Sequence, residues 1–400
     1  MNIELTQSTG KLIKDPQLLD VNYLPEEMVG RKEILRKTVD ELSQMPSSHL
    51  LLYGFHGRGR YIFAVHVKNR LKYHVEQSGK KFLFATVDCR KHRTTNQIIS
   101  EIVRQIDPDN PHIKGKKKID DPFFLLEKIT FNDNIVFMVL LRHIDEAKDT
   151  LFVYKLSRLH DPWEWSKKYR YDLEKAPMTI TVGTAINIRW MKDELDASTL
   201  STYRPHRLVL PLLSNEEIYR ILENRSEAFY EGVLDKDVLL ACAKEGEDFG
   251  SPQFAIKLLR SASIIAELFN SKKITLKHFK IALFEDEINF AVDWLRPYSN
   301  HLKLILHSIV KLSKANVDIN TTRVYEQYCL DCKEFSIKPL KRRGFYPYLY
   351  TLEVERIINK HPVSSTKGGH TFQISVVKDR EDFMGKVSQR LMSESFGRSN

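Results

Sequence analysis

The sequence predicts an α/β protein built on a mostly parallel sheet, followed by an all-helical unit and then by three helices with a β-hairpin. Three observations carry this. Short apolar, β-rich runs alternate with helical patterns through the first half of the chain. After Leu210-Pro211 the strands stop, and every run from Asn215 to Glu285 has helical spacing. Near the end, Lys367-Gly368-Gly369 separates two β-prone runs, which signals a hairpin.

Taken in order, residues 1–20 are polar and read as a loose segment. Glu27 to Met45 carries Met28, Ile34, Leu35, Val39 and Leu42 at near-helical spacing and reads as an amphipathic helix. His49 to Tyr53, Lys81 to Val87, Ile135 to Leu141 and Met178 to Val182 read as strands. Ile62 to Gln77, Thr95 to Ile106 and Thr150 to Leu159 read as the intervening helices. Strands alternating with helices imply parallel pairing with both faces covered, and a ligand site at the carboxyl ends of the strands.

Four helices follow, Glu216–Phe229, Asp235–Lys244, Pro252–Phe269 and Leu276–Phe284, with Gly250-Ser251-Pro252 suiting a helix start. Glu287–Trp294 reads as a linker helix that breaks at Arg296-Pro297. Then come His301–Ser313, Thr322–Phe335, Tyr346–Lys360, and a ribbon from Val363–Ser365 to Thr371–Val377. Three helices and a hairpin of this length form a winged helix. The tail beyond Arg380 is polar and is expected to fray.

Composition bounds the function. The chain has 400 residues, 42% hydrophobic and 28% charged, as in ordinary globular domains. It holds no run near the ~18–20 apolar residues that span a bilayer, and its start lacks the form of a signal peptide. The expectation is a cytoplasmic, nucleoid-associated protein with no membrane partner. Cys89, Cys242, Cys329 and Cys332 do not make a disulfide framework. The Cys329/Cys332 spacing lacks a second ligand pair for zinc, so no metal site is expected.

The net charge is +10, and residues 301–400 contribute 17 Lys/Arg against 10 Asp/Glu. That concentration favours a polyanionic partner at the end of the chain. Smaller basic clusters stand at Lys114, Lys116, Lys117 and Lys118, and at Lys167, Lys168 and Arg170.

One loop has the form of a phosphate cradle. An apolar run ending at Tyr53 leads into Gly54-Phe55-His56-Gly57-Arg58-Gly59-Arg60-Tyr61 and then a helix, the setting of G-x-x-x-x-G-K-[ST]. Gly54 and Gly59 keep the spacing, but Arg60 replaces the lysine and Tyr61 the Ser/Thr. A lysine there reaches the β- and γ-phosphates, and the small hydroxyl ligates magnesium. Backbone N–H groups of Gly57 and Gly59 at a helix start still favour an anion.

The order of segments resembles the archaeal initiator family, homologues of the origin recognition complex large subunit and of cell division control protein 6. The resemblance spans roughly residues 15–378. It rests on Tyr23-Leu24-Pro25-Glu26 with Gly30-Arg31, Val87-Asp88-Cys89-Arg90, Ile144-Asp145, Arg207 to Arg225, Glu231-Gly232-Val233-Leu234, Gly250 to Ala262, and Pro339 to Ile358.

The resemblance implies an AAA+ base over 21–212, a helical lid over 213–286, a linker helix over 287–300, a winged-helix DNA-binding domain over 301–380 and a tail over 381–400. In that family ATP-bound protein marks replication origins. The expected partners are therefore duplex origin DNA, other initiator paralogues and the replicative helicase.

The family's catalytic positions are altered here. The resemblance puts Arg142 at the magnesium-binding Asp and His143 at the water-orienting Glu. Thr184 stands at sensor one, Ser198 at the arginine finger, Gln253 at the sensor-two arginine and Leu213 at the adenine-packing aromatic. Arg225 keeps its place.

No ATP hydrolysis is expected. No cofactor is required, and ATP or ADP at Gly54, Gly57, Arg58, Gly59, Arg60 and Arg225 is left open. The DNA-facing segments match better: Lys341, Arg342 and Arg343, the wing tip Lys367, Gly368, Gly369 and His370, and Lys91 and Arg93, where the family has a helical insertion touching DNA. The predicted recognition helix starts near Tyr346, because Pro347 disfavours a helix interior. An ATP-switched initiator and a protein-interaction scaffold are the alternatives.

Overall fold

The computed structural model describes residues 11–44, 47–54, 57–112, 114, 118–119, 121–131, 134–159, 178–187, 189–315, 317–355, 357–363, 371–376 and 381–397. The chain divides into two compact units, Met1–Phe279 and Lys280–Asn400.

The first unit opens on α1 (Lys32–Ser43), β1 (Ser47–Tyr53), α2 (Arg60–Gln77), β2 (Lys81–Asp88) and α3 (Thr95–Ile106). It continues through α4 (Pro122–Thr130), β3 (Ile135–Arg142), α5 (Leu151–Ser157), β4 (Met178–Ala185), α6 (Trp190–Glu194), α7 (Ala197–Thr202) and β5 (His206–Val209). The five strands form one all-parallel sheet in the order β2-β3-β4-β1-β5.

Successive side chains point to opposite faces, so β1 feeds two cores. Leu50 and Leu52 pack with Val39, Phe63 and Val67 of α1 and α2, while Leu51 packs with Ile98, Phe152 and Trp190 on the other side. At the edge strand β2, Gln105 caps the open backbone. Its amide accepts from Thr86 N–H at 2.9 Å and donates to Thr86 C=O at 2.9 Å, mimicking a neighbouring strand.

The sheet is followed by α8 (Asn215–Arg225), α9 (Lys236–Asp248) and α10 (Pro252–Leu268). Ser214 with Glu217 forms a capping box on α8, and Ser251 with Pro252 starts α10. Next comes α11 (Leu276–Leu295), unbroken where the sequence suggested a lid helix and a separate linker helix. No proline or glycine interrupts Phe284 to Glu287, so the helix runs through.

The second unit continues with α12 (Asn300–Lys314), α13 (Thr321–Glu334), α14 (Arg342–Val354), an antiparallel pair β6 (Ile358–Val363) and β7 (Thr371–Val376), and α15 (Glu381–Phe396). Buried Leu302, Ile305, Leu306 and Ile309 make α12 its central helix. The fully buried Asp331 carboxylate accepts from Ser308 Oγ at 2.6 Å, Lys311 Nζ at 2.9 Å and Gln327 Nε2 at 2.8 Å. Cys329 and Cys332 lie with Asp331 on α13, and Cys332 is a core residue.

Four expectations need correction. Residues 11–20 are held down: the N–H groups of Leu12 and Ile13 donate to Glu267 at 2.8 and 3.1 Å, and Leu19 is fully buried. The tail is α15, which sinks Met384, Val387, Leu391 and Met392 into the second core and pairs Glu394 with Arg296 at 3.0 Å. The third winged-helix segment ends at Val354, where Ile357 N–H turns back to Leu352 C=O at 2.9 Å, and Ile358–Lys360 is strand. That helix begins at Arg342 and carries Pro347 inside it. No described helix is long and apolar enough to cross a membrane.

Candidate functional site

The strand-to-helix loop sits at the carboxyl end of β1. Gly54, Gly57 and Gly59 have φ of 128°, 79° and 74°, values that side-chain-bearing residues rarely adopt, so the glycines are required by the turn itself. Gly59 is the N-cap of α2.

Arg60 opens that helix, but its guanidinium bends away to donate to Ala185 C=O at the end of β4. Burial lowers its pKa, opposed by the nearby Asp145 charge. Asp145 takes the N–H groups of Ile186 and Asn187 at 2.8 and 2.9 Å, so it serves as a backbone cap.

The two positions assigned to magnesium ligands meet each other. The Arg142 guanidinium lies over the Tyr61 ring, 4.4 Å from its centroid. A guanidinium and a phenyl face offer a dication neither carboxylate nor small hydroxyl, and the cation repels it. The residues present do not fit magnesium.

His143, at φ 52°, donates its N–H to Thr184 Oγ1 at 3.1 Å and holds Nδ1 3.2 Å from Asp88 Oδ1. Burial, with Arg90 nearby, outweighs Asp88 and lowers its pKa, keeping the ring neutral at neutral pH. Ser198 is exposed in the first turn of α7, and Gln253 is exposed in the first turn of α10.

Beside the loop lies a cleft of about 500 Å³ whose lining includes Tyr23, Met28, Gly57, Gly59, Leu213 and Gln253. Arg225 also lines it, but its guanidinium donates to the carbonyls of Leu18, Asp20 and Tyr23 and stacks on the Tyr23 ring at 4.5 Å. It holds the N-terminal segment as a wall. The other wall closes on the loop: a methyl group built on Gly57 would stand 2.0 Å from Ser251 Oγ.

Sequence reasoning missed Arg31. It is 3% exposed, donates to Arg58 C=O at 2.6 Å and to Pro211 C=O at 3.3 Å, and is pushed down to about 10 by burial. The Gly30-Arg31 pair was the available signal.

The residues expected to face nucleic acid are spread over both units. Between β2 and α3 only six residues intervene, and they form a turn rather than a helix, with Lys91 and His92 N–H groups on Asp88 C=O at 3.0 Å. Lys91 is exposed. Arg93 Nε is held by Glu146 C=O at 3.2 Å, and Thr94 caps α3. That segment leads into a helix, and Arg93 is exposed with its Nε engaged by the fold. The wing-tip residues Lys367, Gly368, Gly369 and His370 lie outside the described residues, as do Lys116, Lys117, Lys167, Lys168 and Arg170.

Lys341, Arg342 and Arg343 are brought together at the start of α14, all exposed, with Lys341 as N-cap. Arg342 lies over the Tyr325 ring at 5.0 Å.

Two family models match the chain. Residues 219–283 match the Cdc6 AAA+ ATPase-type lid domain, and residues 293–386 match the CDC6 C-terminal winged helix domain. The ORC1-type DNA replication protein of Desulfurococcus amylolyticus is 25% identical, with 97% of each chain covered. ORC1-type DNA replication protein 1 of Archaeoglobus fulgidus is 24% identical over 98% of this chain and 93% of its own.

Among solved structures, Aeropyrum pernix ORC1 in complex with DNA aligns with a TM-score of 0.61 at 23% identity, covering 97% of this chain and 98% of that one. The Aeropyrum pernix ORC2 protein in its ADPNP-ADP complexes aligns at 0.57 and 20%, covering 96% and 100%. A parallel-sheet base, a Cdc6-type lid and a Cdc6-type winged helix follow one another along a chain matched nearly end to end by these relatives, and in that order it is similar to the archaeal Orc1/Cdc6 proteins.

Proposed function

We propose that this replication initiator of Orc1/Cdc6 type binds duplex DNA through its winged helix and does not hydrolyse ATP. The Arg142–Tyr61 stack carries the second part. Phosphoryl transfer relies on a dication bridging the phosphates and on cations that offset transition-state charge. Here the metal positions cover one another, Arg60 is spent on Ala185 C=O, and Ser198 has no charge to offer. His143 is tied to Asp88 and Thr184.

Purified protein given ATP, Mg²⁺ and duplex DNA is expected to release phosphate no faster than a protein-free control. Turnover above that control, abolished by Arg60→Ala, would overturn this part.

The cleft beside Gly57 and Gly59 favours a second reading, nucleotide binding without turnover. Titration calorimetry with ADP and ATP decides it. Heat of binding lost in Gly59→Val would support a resident nucleotide, and none would leave the glycines as a structural corner.

Duplex binding is supported by the exposed cations at the start of α14 and by the relative solved with DNA. Origin binding is tested by mapping bound sites across the genome: enrichment at origins, lost on replacing Lys341, Arg342 and Arg343 with alanine, is the expected result. Binding of other initiators or of the replicative helicase is part of the same reading, tested by co-purification with and without nuclease.

A further inference from the structure

The outward face of α14 is not the basic surface its first residues suggest. With about 3.6 residues per turn, Phe345, Leu349 and Leu352 fall on one side and are buried in the second core. Arg343, Tyr346, Pro347, Tyr350 and Val354 fall on the other, all exposed. Tyr346 is 43% exposed, Tyr350 63% and Val354 57%. Arg342 stands at the margin, drawn over the Tyr325 ring.

The face is therefore cationic only at its helix N-terminus, with aromatic and aliphatic side chains over the following two turns. Its occupant is argued from charge. Lys338, Lys341 and Arg343 are exposed around that end, and the face carries no carboxylate. The Glu353 carboxylate beside it is paired with Lys360 at 2.6 Å. A polyanion with apolar groups at the same spacing fits such a face.

Resting on the duplex-binding reading above, we infer that Tyr346 and Tyr350 are specificity-determining residues that recognise the 5-methyl groups of thymine in the major groove. A helix fits that groove, and the thymine methyl is its one apolar group, contacted by apolar and aromatic side chains. Arg343 and Lys341 hold phosphates and set register without reading sequence. Pro347 lies exposed on the same face and adds its ring to the apolar surface that the two tyrosines present.

The test compares the full chain on two 24-base-pair duplexes, alternating dA·dT and the same duplex with deoxyuridine for thymidine. These keep every hydrogen-bonding edge and differ only in the methyls. Binding is read by fluorescence anisotropy at 100 mM salt. The wild type is expected to prefer dA·dT roughly tenfold, the scale for hiding two methyl groups from water. Tyr346→Ala with Tyr350→Ala should bind both alike, Tyr346→Phe with Tyr350→Phe should keep the preference, and Arg343→Ala should weaken both equally. Equal wild-type affinity for the two duplexes, or a preference surviving the double alanine variant, would overturn the inference while leaving duplex binding intact. Failure to bind either duplex would overturn the duplex-binding reading with it.

Discussion

Replacing Lys341, Arg342 and Arg343 together with alanine should flatten the salt dependence of duplex binding by a definite amount. All three are exposed and none belongs to the core, so the fold should be unaffected. Lys341 is the N-cap of α14, where the helix dipole adds to its attraction for phosphate. Arg343 sits at the centre of the outward face. Arg342 is held over Tyr325 at 5.0 Å, an interaction worth about 0.5–1 kcal/mol at an exposed site, and is the least available. Two of the three cations are thus expected to release counterions.

At a slope of roughly −0.9 per phosphate contact, the triple variant should lose about 1.8 from its slope of log affinity against log salt. Between 50 and 200 mM salt that is roughly a twelvefold smaller loss of affinity than the wild type suffers. Anisotropy titrations of a labelled duplex at four salt concentrations measure it directly. Arg342→Ala alone should leave the slope nearly unchanged. An unaltered slope in the triple variant would refute the assignment of this helix end to phosphate, and a full unit lost in Arg342→Ala would refute the ranking.

Other consequences concern stability. A double-mutant cycle with Arg142→Ala and Tyr61→Ala should return a coupling of about 1 kcal/mol in urea unfolding; strict additivity would mean the stack contributes nothing. Asp331→Ala removes a fully buried carboxylate from three donors and should destabilise the second unit by about 3 kcal/mol, read as an earlier calorimetric transition. His49, buried with Nδ1 2.6 Å from Thr181 Oγ1, has its pKa pushed down to about 4 by burial. The unfolded chain binds that proton first, so the stability due to neutral His49 is full above pH 6.5. It is lost as pH falls from 6.5 towards 4, up to about 3 kcal/mol. His49→Asn should make unfolding midpoints less pH-dependent across that window, and an unchanged profile would contradict the burial argument.

Much of the architecture was legible because burial on both sheet faces leaves a plain mark. β3 is apolar from Ile135 to Leu141, and such a run bounded by turns reads as a central strand. β5 was missed since His206–Val209 is a short, largely exposed edge strand without that mark. In α15 the helical spacing of Met384, Val387, Leu391 and Met392 was present, but Lys386, Ser388, Gln389 and Arg390 between them and the polar ending made it read as tail. Pro347 misled in the opposite direction. Proline costs about 3 kcal/mol within a helix, yet the burial of Phe345, Leu349 and Leu352 around it holds α14 to its start at Arg342. Single replaced residues of the candidate site could be named from the sequence, whereas their new partners could not, because Tyr61 on α2 and Arg142 on β3 meet only once the sheet is ordered.

Those partners bear on how the site could be rebuilt. Arg142 puts a cation at the position that the resemblance gives to a magnesium-binding Asp. Here Tyr61 receives it, the Ala185 carbonyl receives Arg60, and Thr184 with Asp88 receives His143. Each change has its charge or hydrogen bond answered by a neighbour, so restoring one residue exposes another's partner. Arg142→Asp alone would leave the Tyr61 ring over the position, and Tyr61→Ser alone would leave the Arg142 cation there. Neither should create Mg²⁺-dependent nucleotide affinity in calorimetry. Arg60→Lys, Tyr61→Ser, Arg142→Asp and His143→Glu combined exchange a cation for two carboxylates and a small hydroxyl, the donors a hard dication takes. That variant should bind ATP more tightly with Mg²⁺ than with EDTA, and still not turn it over, since Ser198 remains. Metal-dependent affinity in either single variant would show that the substitutions are independent.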